Sequence, residues 1–170
     1  MSEPSSIKLI VFDVDGVLTD GAIVLDDNGV EAKHFYVRDG FAIRAAQEMG
    51  LKIAALTGRA SRCVTLRLSE LGVKLQLQGV HDKAMGLETI CQWANLLPEQ
   101  CAYVGDDLMD LPPMLRSGYP MSVVDAVEEV KAEARYVTET AGGRGAAREA
   151  IEHLLKLQGR WEELLARYGL

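Results

Sequence analysis

Short apolar runs alternate with stretches of helical periodicity along almost the whole chain, and this alternation limits the possible folds most strongly. Strands separated by helices form parallel sheets through right-handed crossovers, with helices on both faces. The apolar runs predict strands at Leu9–Phe12, Ile53–Leu56, Val73–Leu77, Ala102–Val104, Met121–Val123 and Tyr136–Val137. The helical stretches lie near Phe41–Met49, Ser61–Leu71, Ala84–Asn95, Ala126–Ala132 and Gly145–Leu157. We therefore predict an α/β fold built on a doubly wound parallel sheet.

One segment, Gly21–Val37, departs from this alternation with two extended runs around Asp-Asp-Asn-Gly. Asn28-Gly29 is a strong hairpin signal because both residue types tolerate positive φ. We predict a β-hairpin over about 21–37 and an amphipathic helix or ordered extension over about 158–170. The length of 170 residues predicts one domain over 1–170.

Composition excludes several classes of partner. Lys and Arg number 18 against 25 Asp and Glu, and this acidic balance argues against nucleic-acid binding. No apolar run approaches the ~18 residues of a membrane span, and the first residues do not resemble a secretory signal. Three cysteines without a CxxC spacing are expected to be reduced thiols, which favours a cytoplasmic location.

Polar side chains that can take part in catalysis or bind a ligand follow four of the predicted strands. They are Asp13 and Asp15 after the first strand, Thr57 after the second, Lys83 beyond the third, and Asp106 after the fourth. Ligands of open parallel sheets bind beyond the carboxyl ends of the strands. We therefore expect these side chains to share one site.

The charges of this group predict a metal ion. Three carboxylates in one site repel each other, and one of them takes up a proton unless a cation is bound. Oxygen ligands suit Mg²⁺, whereas the three histidines are scattered and no HExxH pattern is present, which argues against zinc. The positive charge of Lys83 makes the site suitable for a dianion.

These residues resemble the motifs of the haloacid dehalogenase superfamily of phosphatases. Residues 13–20, DVDGVLTD, are similar to the first motif, and Leu56–Arg59, Lys83 and Gly105–Asp107 match the other three in order. Within the superfamily, the segments 15–21, 36–40 and 142–145 resemble the 3-deoxy-D-manno-octulosonate 8-phosphate phosphatase family. The resemblance implies Mg²⁺-dependent hydrolysis of that sugar phosphate in lipopolysaccharide precursor synthesis.

The resemblance also implies a role for each motif residue. Asp13 is implied as the nucleophile and Asp15 as the general acid and base. Thr57 and Lys83 are implied to hold the phosphoryl oxygens. The implied metal ligands are Asp13, the main-chain carbonyl of Asp15, and Asp106, while Asp107 and Asp110 are interpreted as supporting residues.

A second set of residues is implied to bind the sugar acid. The set contains Asp15, Tyr36, Val37, Arg38, Asp39, Gly40, Arg44, Gly58, Arg59, Arg67 and Lys83. Arginine suits a substrate carboxylate because its guanidinium binds it in a bidentate manner. An ordinary surface role remains the alternative for Arg44 and Arg67, and it stays open whether Arg144 reaches an active site, its own or a neighbour's.

The spacing of the motifs leaves no room for a cap domain. Only 42 positions separate Asp15 from Thr57, and only 23 separate Lys83 from Asp106. The hairpin carries more apolar side chains than a free hairpin would expose, namely Ile23, Leu25, Val30, Phe35 and Val37. We therefore expect a homo-oligomer that forms through the hairpin, and the resemblance implies a homotetramer.

Three other functions compete with this interpretation. A phosphatase for a sialic-acid-type 9-phosphate would share all four motifs. A response-regulator receiver domain also gathers acids, Thr and Lys, but its Lys comes late in the chain, whereas Lys83 precedes Gly105-Asp106-Asp107. A catalytically inactive domain attached to a nucleotidyltransferase is disfavoured because every reacting position is filled.

Overall fold

The computed structural model describes residues 2–170, and within them a six-stranded parallel sheet has the strand order β5-β4-β1-β6-β7-β8. The strands are β1 (Leu9–Phe12), β2 (Val24–Leu25), β3 (Glu31–Ala32), β4 (Lys52–Leu56), β5 (Leu75–Leu77), β6 (Cys101–Gly105), β7 (Tyr119–Ser122) and β8 (Tyr136–Val137). The α-helices are α1 (Val37–Glu48), α2 (Arg62–Glu70), α3 (Lys83–Ala94), α4 (Leu111–Arg116), α5 (Glu128–Glu133), α6 (Ala146–Leu157) and α7 (Trp161–Ala166). The predicted doubly wound α/β fold is confirmed.

Strand β1 lies at the centre of the sheet and determines where the site forms. All four of its residues are buried, as expected for a strand covered by helices on both faces. Phe12 pairs with Ala55 of β4 on one side and with Val104 of β6 on the other. The segments that follow these three strands therefore emerge side by side at one edge of the sheet.

The hairpin is shorter than predicted, and its turn has a different geometry. Helix α1 begins at Val37, so the hairpin strands β2 and β3 occupy only part of 21–37. Gly29 has a φ of 74°, but Asn28 does not have a positive φ. The Asp26 carboxylate accepts hydrogen bonds from the amides of Asn28 and Val30, at 2.9 and 2.7 Å. This carboxylate holds a three-residue loop in which only the glycine is left-handed.

Sequence analysis assigned no helix to the segment that forms α4. Pro112 and Pro113 follow its first residue, Leu111. Proline is tolerated in the first turn of a helix because the amides there have no partner within the helix. Helix α4 packs against α3 and β6, beside the loop that follows β6.

Helices α1 and α6 pack closely together, and a buried carboxylate joins them. Helix α6 buries an apolar face that includes Ile151 and Leu154. Asp39 lies in the first turn of α1, is only 3% exposed, and accepts a hydrogen bond of 2.8 Å from the amide of Arg148 in the first turn of α6. Asp39 therefore caps α6 from a neighbouring helix.

The tail forms the short helix that was one of its two predicted states. Helix α7 buries Leu164, and the Tyr168 ring lies 5.3 Å from the Phe41 ring of α1. No helix among residues 2–170 combines the length and the apolar character required to cross a membrane.

We predict that replacement of Asp39 by Asn stabilises the fold at neutral pH. Burial raises the pKa of Asp39 from its ordinary value of 3.8 to about 6, so the folded protein holds a proton on this group more tightly than the unfolded chain does. Ionisation of Asp39 therefore lowers the free energy of unfolding as the pH rises from about 4 to 6. Above that range the loss approaches about 3 kcal/mol. Asn retains the acceptor oxygen without the charge.

Thermal unfolding between pH 4.5 and 7.5 tests this prediction. The Tm difference between Asp39→Asn and the wild type should widen up to about pH 6 and then remain constant. Asp39→Ala is the control, because it removes the cap and should lower stability by about 1 kcal/mol relative to Asn at every pH. A Tm difference that is independent of pH would contradict the assignment.

Candidate active site

Asp13, directly after β1, is paired with the first residue of α3. Asp82 caps α3 by accepting a hydrogen bond of 3.0 Å from the Met85 amide. The cap fixes the start of the helix at Lys83, whose Nζ lies 2.8 Å from Oδ1 of Asp13 and 2.7 Å from Oδ1 of Asp110. Lys83 is buried, and the two carboxylates raise its pKa despite that burial. The site therefore contains a fixed ammonium group.

Asp110 holds this arrangement together rather than offering free oxygens. Its Oδ1 accepts hydrogen bonds of 2.7 Å from both Lys83 and the hydroxyl of Tyr103. Its Oδ2 accepts from the amides of Asp106 and Asp107, at 3.0 and 3.3 Å. Both oxygens are thus occupied, and Asp110 fixes the loop after β6. This agrees with the interpretation of Asp110 as a supporting residue.

The carboxylates near Asp13 fit a hard divalent cation. Oxygens of Asp13, Asp106 and Asp110 lie within 4.8 Å of one another, and Oδ1 of Asp106 is buried without a hydrogen-bond partner. Burial and the neighbouring carboxylates raise the pKa of Asp13 to about 7 and that of Asp106 to about 8. A cation at this position offsets both the burial of the negative charges and their mutual repulsion.

Gly16 permits this approach of Asp106 to the loop after β1. It has a φ of 92°, and a Cβ there would lie 1.9 Å from Oδ2 of Asp106. A side chain at position 16 would therefore displace Asp106 from the carboxylate cluster.

Asp15 lies in a second charged cluster beside the hairpin. Lys33 of the hairpin donates a hydrogen bond to Oδ1 of Asp15 and lies 3.4 Å from Oε1 of Glu31. Nε of Arg59 lies 3.8 Å from Oδ2 of Asp15, and Nη2 of Arg59 lies 2.8 Å from Oε1 of Glu31. Two cations and two carboxylates therefore alternate over the mouth of the site.

The turn after β4 brings the remaining predicted phosphoryl ligand to the same edge. Thr57 is buried, and its amide donates a hydrogen bond of 3.0 Å to the Leu77 carbonyl of β5. The Thr57 hydroxyl accepts a hydrogen bond of 3.3 Å from the Arg59 amide. Gly58 faces Met109, whose Cε would lie 3.4 Å from a Cβ at position 58.

The glycine-rich segment 142–145 packs on the loop that carries Asp13 and Asp15. A Cβ on Gly142 would lie 1.7 Å from the Gly16 carbonyl, and the Gly143 amide donates to the Val17 carbonyl at 2.9 Å. Arg144 is mostly exposed, with Nη2 4.0 Å from Asp20 of the same chain. The segment therefore packs against the loop after β1 from outside.

The other predicted sugar-binding residues lie along α1 and α2. Nη2 of Arg44 donates to the Glu70 carbonyl at 2.6 Å, and Nη1 of Arg67 donates to the Glu70 carboxylate at 2.9 Å. In residues 2–170, neither arginine forms an ion pair with Asp13, Asp15 or Asp106.

The segment 36–40 is divided between the surface and the interior. Val37 and Arg38 are exposed, whereas Asp39 and Gly40 are buried. Tyr36 and Arg38 line a cavity of about 230 Å³ that Arg144 and Arg148 also border.

Sequence reasoning missed Lys33, Glu31 and Tyr103. Glu31 and Lys33 are two positions apart in an extended segment and so share one face of it, which was an available signal. Tyr103 lies inside a continuous apolar strand, where the sequence pattern does not distinguish its hydroxyl from an ordinary core side chain.

Comparisons with known proteins identify the relatives of this chain. Residues 77–149 match the family model of haloacid dehalogenase-like hydrolases. The 3-deoxy-D-manno-octulosonate 8-phosphate phosphatase of Salmonella typhi is 42% identical over 163 residues, which cover 96% of this chain and 87% of the relative. The Yersinia pestis enzyme of the same name is 39% identical, over 93% of this chain and 84% of its own.

Solved structures give the same result. The Moraxella catarrhalis phosphatase of that name, in complex with magnesium ion, phosphate ion and KDO, has a TM-score of 0.94 and 38% identity, covering 98% of this chain and 95% of its own. A cobalt-bound form of the Haemophilus influenzae enzyme has a TM-score of 0.91 and 38% identity, covering 94% of each chain.

The carboxylate cluster predicts that Mg²⁺ raises the Tm of this protein. At 100 times its dissociation constant, one bound ion stabilises the fold by about 2.7 kcal/mol, or roughly 5–10 °C for a chain of this size. Asp106→Asn removes a repelling carboxylate, so it should raise the Tm in chelator and abolish most of the shift with Mg²⁺.

Differential scanning fluorimetry across a Mg²⁺ titration measures both effects. Asp107→Asn is the matched control, because Asp107 is exposed and its side chain caps the Leu108 amide, which an Asn oxygen also does. If Mg²⁺ raises the Tm of Asp106→Asn as much as that of the wild type, the cation binds at another site.

Proposed function

Because this chain belongs to the 3-deoxy-D-manno-octulosonate 8-phosphate phosphatase family of haloacid dehalogenase-like hydrolases, we propose that the residues at the ends of β1, β4 and β6 carry out that reaction. The chain is a phosphoric monoester hydrolase, its products are the free sugar acid and phosphate, and Mg²⁺ is its cofactor. The sugar acid is a precursor of lipopolysaccharide. The observation that carries the residue assignment is the pairing of Asp13 with Lys83 beside Asp106.

Hydrolysis proceeds in two displacements at phosphorus. In the first, a carboxylate oxygen of Asp13 attacks phosphorus, the bond to the sugar oxygen breaks, and Asp15 gives that oxygen its proton. In the second, water attacks the aspartyl-phosphate and gives a proton to Asp15. The bond from phosphorus to Asp13 then breaks, and its electron pair returns to the Asp13 carboxylate.

Fixed positive charge and hydrogen-bond donors hold the phosphoryl group during both steps. The Lys83 ammonium faces Asp13, which supports a contact with the transferring phosphoryl oxygens. The Thr57 hydroxyl and the Gly58 segment lie at the end of β4, next to β1. When bound, Mg²⁺ held by Asp13, the Asp15 carbonyl and Asp106 neutralises negative charge that develops on the phosphoryl oxygens.

The sugar acid is bound at the rim by the arginines and the start of α1. Arg59 is the best supported of these ligands, because its guanidinium lies beside Asp15 and is about half exposed. We assign Arg67 and the segment Tyr36–Gly40 to the same substrate, together with Arg44. A substrate contact by Arg44 requires its bond to the Glu70 carbonyl to open.

Asp13→Asn should abolish hydrolysis and leave the fold intact. The amide has nearly the same volume but does not attack phosphorus. Its oxygen still accepts a hydrogen bond from Lys83, which also keeps its ion pair with Asp110. The repulsion between Asp13 and Asp106 is removed. Phosphate release, measured with Mg²⁺ across 3-deoxy-D-manno-octulosonate 8-phosphate, a sialic-acid-type 9-phosphate and simpler sugar phosphates, tests substrate and nucleophile together.

The controls for this experiment are the circular dichroism spectrum and the Tm of the variant, together with the activity of Asp107→Asn. The wild type should prefer the octulosonate 8-phosphate at least tenfold in kcat/KM. Near-normal turnover by Asp13→Asn would show that another residue is the nucleophile. A preference for the 9-phosphate would show that the substrate is the sialic-acid-type sugar phosphate.

We propose that the chain is one domain over 1–170 that acts in the cytoplasm as a homotetramer joined through the hairpin. Exposed apolar side chains on the hairpin support the assembly, since Leu25 is 59% and Val30 is 63% exposed. Free thiols at all three cysteines support a reducing location.

Leu25→Asp should produce smaller species in light scattering, because a charge at a buried interface is not solvated. Its activity should fall more for the sugar substrate than for p-nitrophenyl phosphate, which needs only the phosphoryl site. Leu97→Asp is the matched control, since Leu97 is similarly exposed, at 64%, but lies after α3. If Leu25→Asp forms a smaller species but hydrolyses the sugar phosphate at the wild-type rate, the hairpin contributes to assembly and not to activity.

A further inference from the structure

Lys33 is a buried lysine on an otherwise exposed hairpin. Its side chain is only 1% exposed, although Ala32 and His34 on either side are exposed. Alternation along the extended segment directs Glu31, Lys33 and Phe35 toward the body of the domain. Burial of an ammonium group is costly unless carboxylates are close, so the position of Lys33 depends on what it contacts.

What Lys33 contacts is Asp15. Among residues 2–170, Lys33 is the only hydrogen-bond donor to the Asp15 side chain. The opposite oxygen of Asp15 faces Arg59 at 3.8 Å, and Glu31 lies between the two cations, 3.4 Å from Lys33 and 2.8 Å from Arg59. The Asp15 carboxylate is therefore oriented by the hairpin and not by its own loop.

The two aspartates of the DxD segment thus have one lysine each. Lys83 holds Asp13 and is itself held by Asp110, in the loop after β6. Lys33 holds Asp15 and is held from the hairpin by Glu31. A general acid and base must lie within hydrogen-bond reach of the proton it transfers, and a displacement of about 1 Å can cost about 10²-fold in rate.

We propose that Lys33 is a positioning residue that orients Asp15 for proton transfer, above all for deprotonation of the water that hydrolyses the aspartyl-phosphate. In that step the water oxygen bonds to phosphorus, its proton passes to Asp15, and the bond to Asp13 breaks with the electron pair on Asp13. Lys33 touches neither phosphorus nor water, and it acts through the carboxylate alone. This inference rests on the proposed roles of Asp13 and Asp15.

The test uses Lys33→Met, which keeps the length of the side chain and removes the ammonium group, with Lys33→Arg as the conservative variant. p-Nitrophenyl phosphate is the substrate, because p-nitrophenolate leaves without a proton and the first step then does not need Asp15. We expect the kcat of Lys33→Met to fall about 10²-fold with KM changed less than threefold, and Lys33→Arg to recover at least tenfold of this loss.

Rapid mixing then distinguishes the two steps. Lys33→Met should release one p-nitrophenolate per site in a burst before slow turnover, and acid quenching should trap phosphorylated Asp13, detected by intact mass. Measurements at several Mg²⁺ concentrations show that the metal site is saturated in each variant. Lys52→Met is the matched control, because the Lys52 ammonium donates to the Ala94 carbonyl at the opposite end of the sheet.

Three results would overturn the proposal. A rise in KM for the sugar phosphate alone, with p-nitrophenyl phosphate turnover unchanged, would make Lys33 a substrate ligand. A lower Tm with equal losses in Lys33→Met and Lys33→Arg would limit it to hairpin stability. A lower kcat without a burst or phosphorylated enzyme would show that Lys33 does not act in hydrolysis of the aspartyl-phosphate. If the wild type hydrolyses the aryl phosphate but not the sugar phosphate, the proposed substrate fails while this test remains valid.

Discussion

The Lys83 ammonium lies between the carboxylates of Asp13 and Asp110, at 2.8 and 2.7 Å, and the layout of the whole site depends on this contact. Burial raises the pKa of Asp13 to about 7 and that of Asp106 to about 8, and the mutual repulsion of the carboxylates, which one ammonium group does not balance, adds to this rise. The remaining negative charge favours a divalent cation at this position. Stability is thereby exchanged for a site that binds metal and phosphate.

Glycines allow the loops around this charge cluster to approach one another. Asp106 occupies the space that a Cβ on Gly16 would need, and Gly142 lies against the carbonyl of that same residue. The loop after β1 is thus enclosed by the loop after β6 on one side and by the segment before α6 on the other. Asp39 then fixes the start of α6 through the Arg148 amide. A chain of close contacts therefore connects α1 to the loop that carries Asp13.

The parts of the site that follow the sheet were predictable from sequence, because they depend on local order. Strand ends in a parallel sheet converge, so Asp13, Thr57 and Asp106 were placed together without knowledge of any contact. Lys33 and Asp39 were different, since their roles arise from contacts with Asp15 and Arg148 that are distant in sequence. Helix α4 was missed because two prolines suggest a loop unless the start of the helix is known.

The hairpin has two faces that differ in their chemistry. Its inward face carries Glu31 and Lys33, whose charges meet Asp15 and Arg59. Its outward face carries exposed apolar side chains such as Val30. Strands β2 and β3 have only two residues each, and an isolated hairpin of this length is marginally stable in water. The ion pairs of the inward face therefore stabilise the hairpin on the domain, and the hairpin in turn orients Asp15.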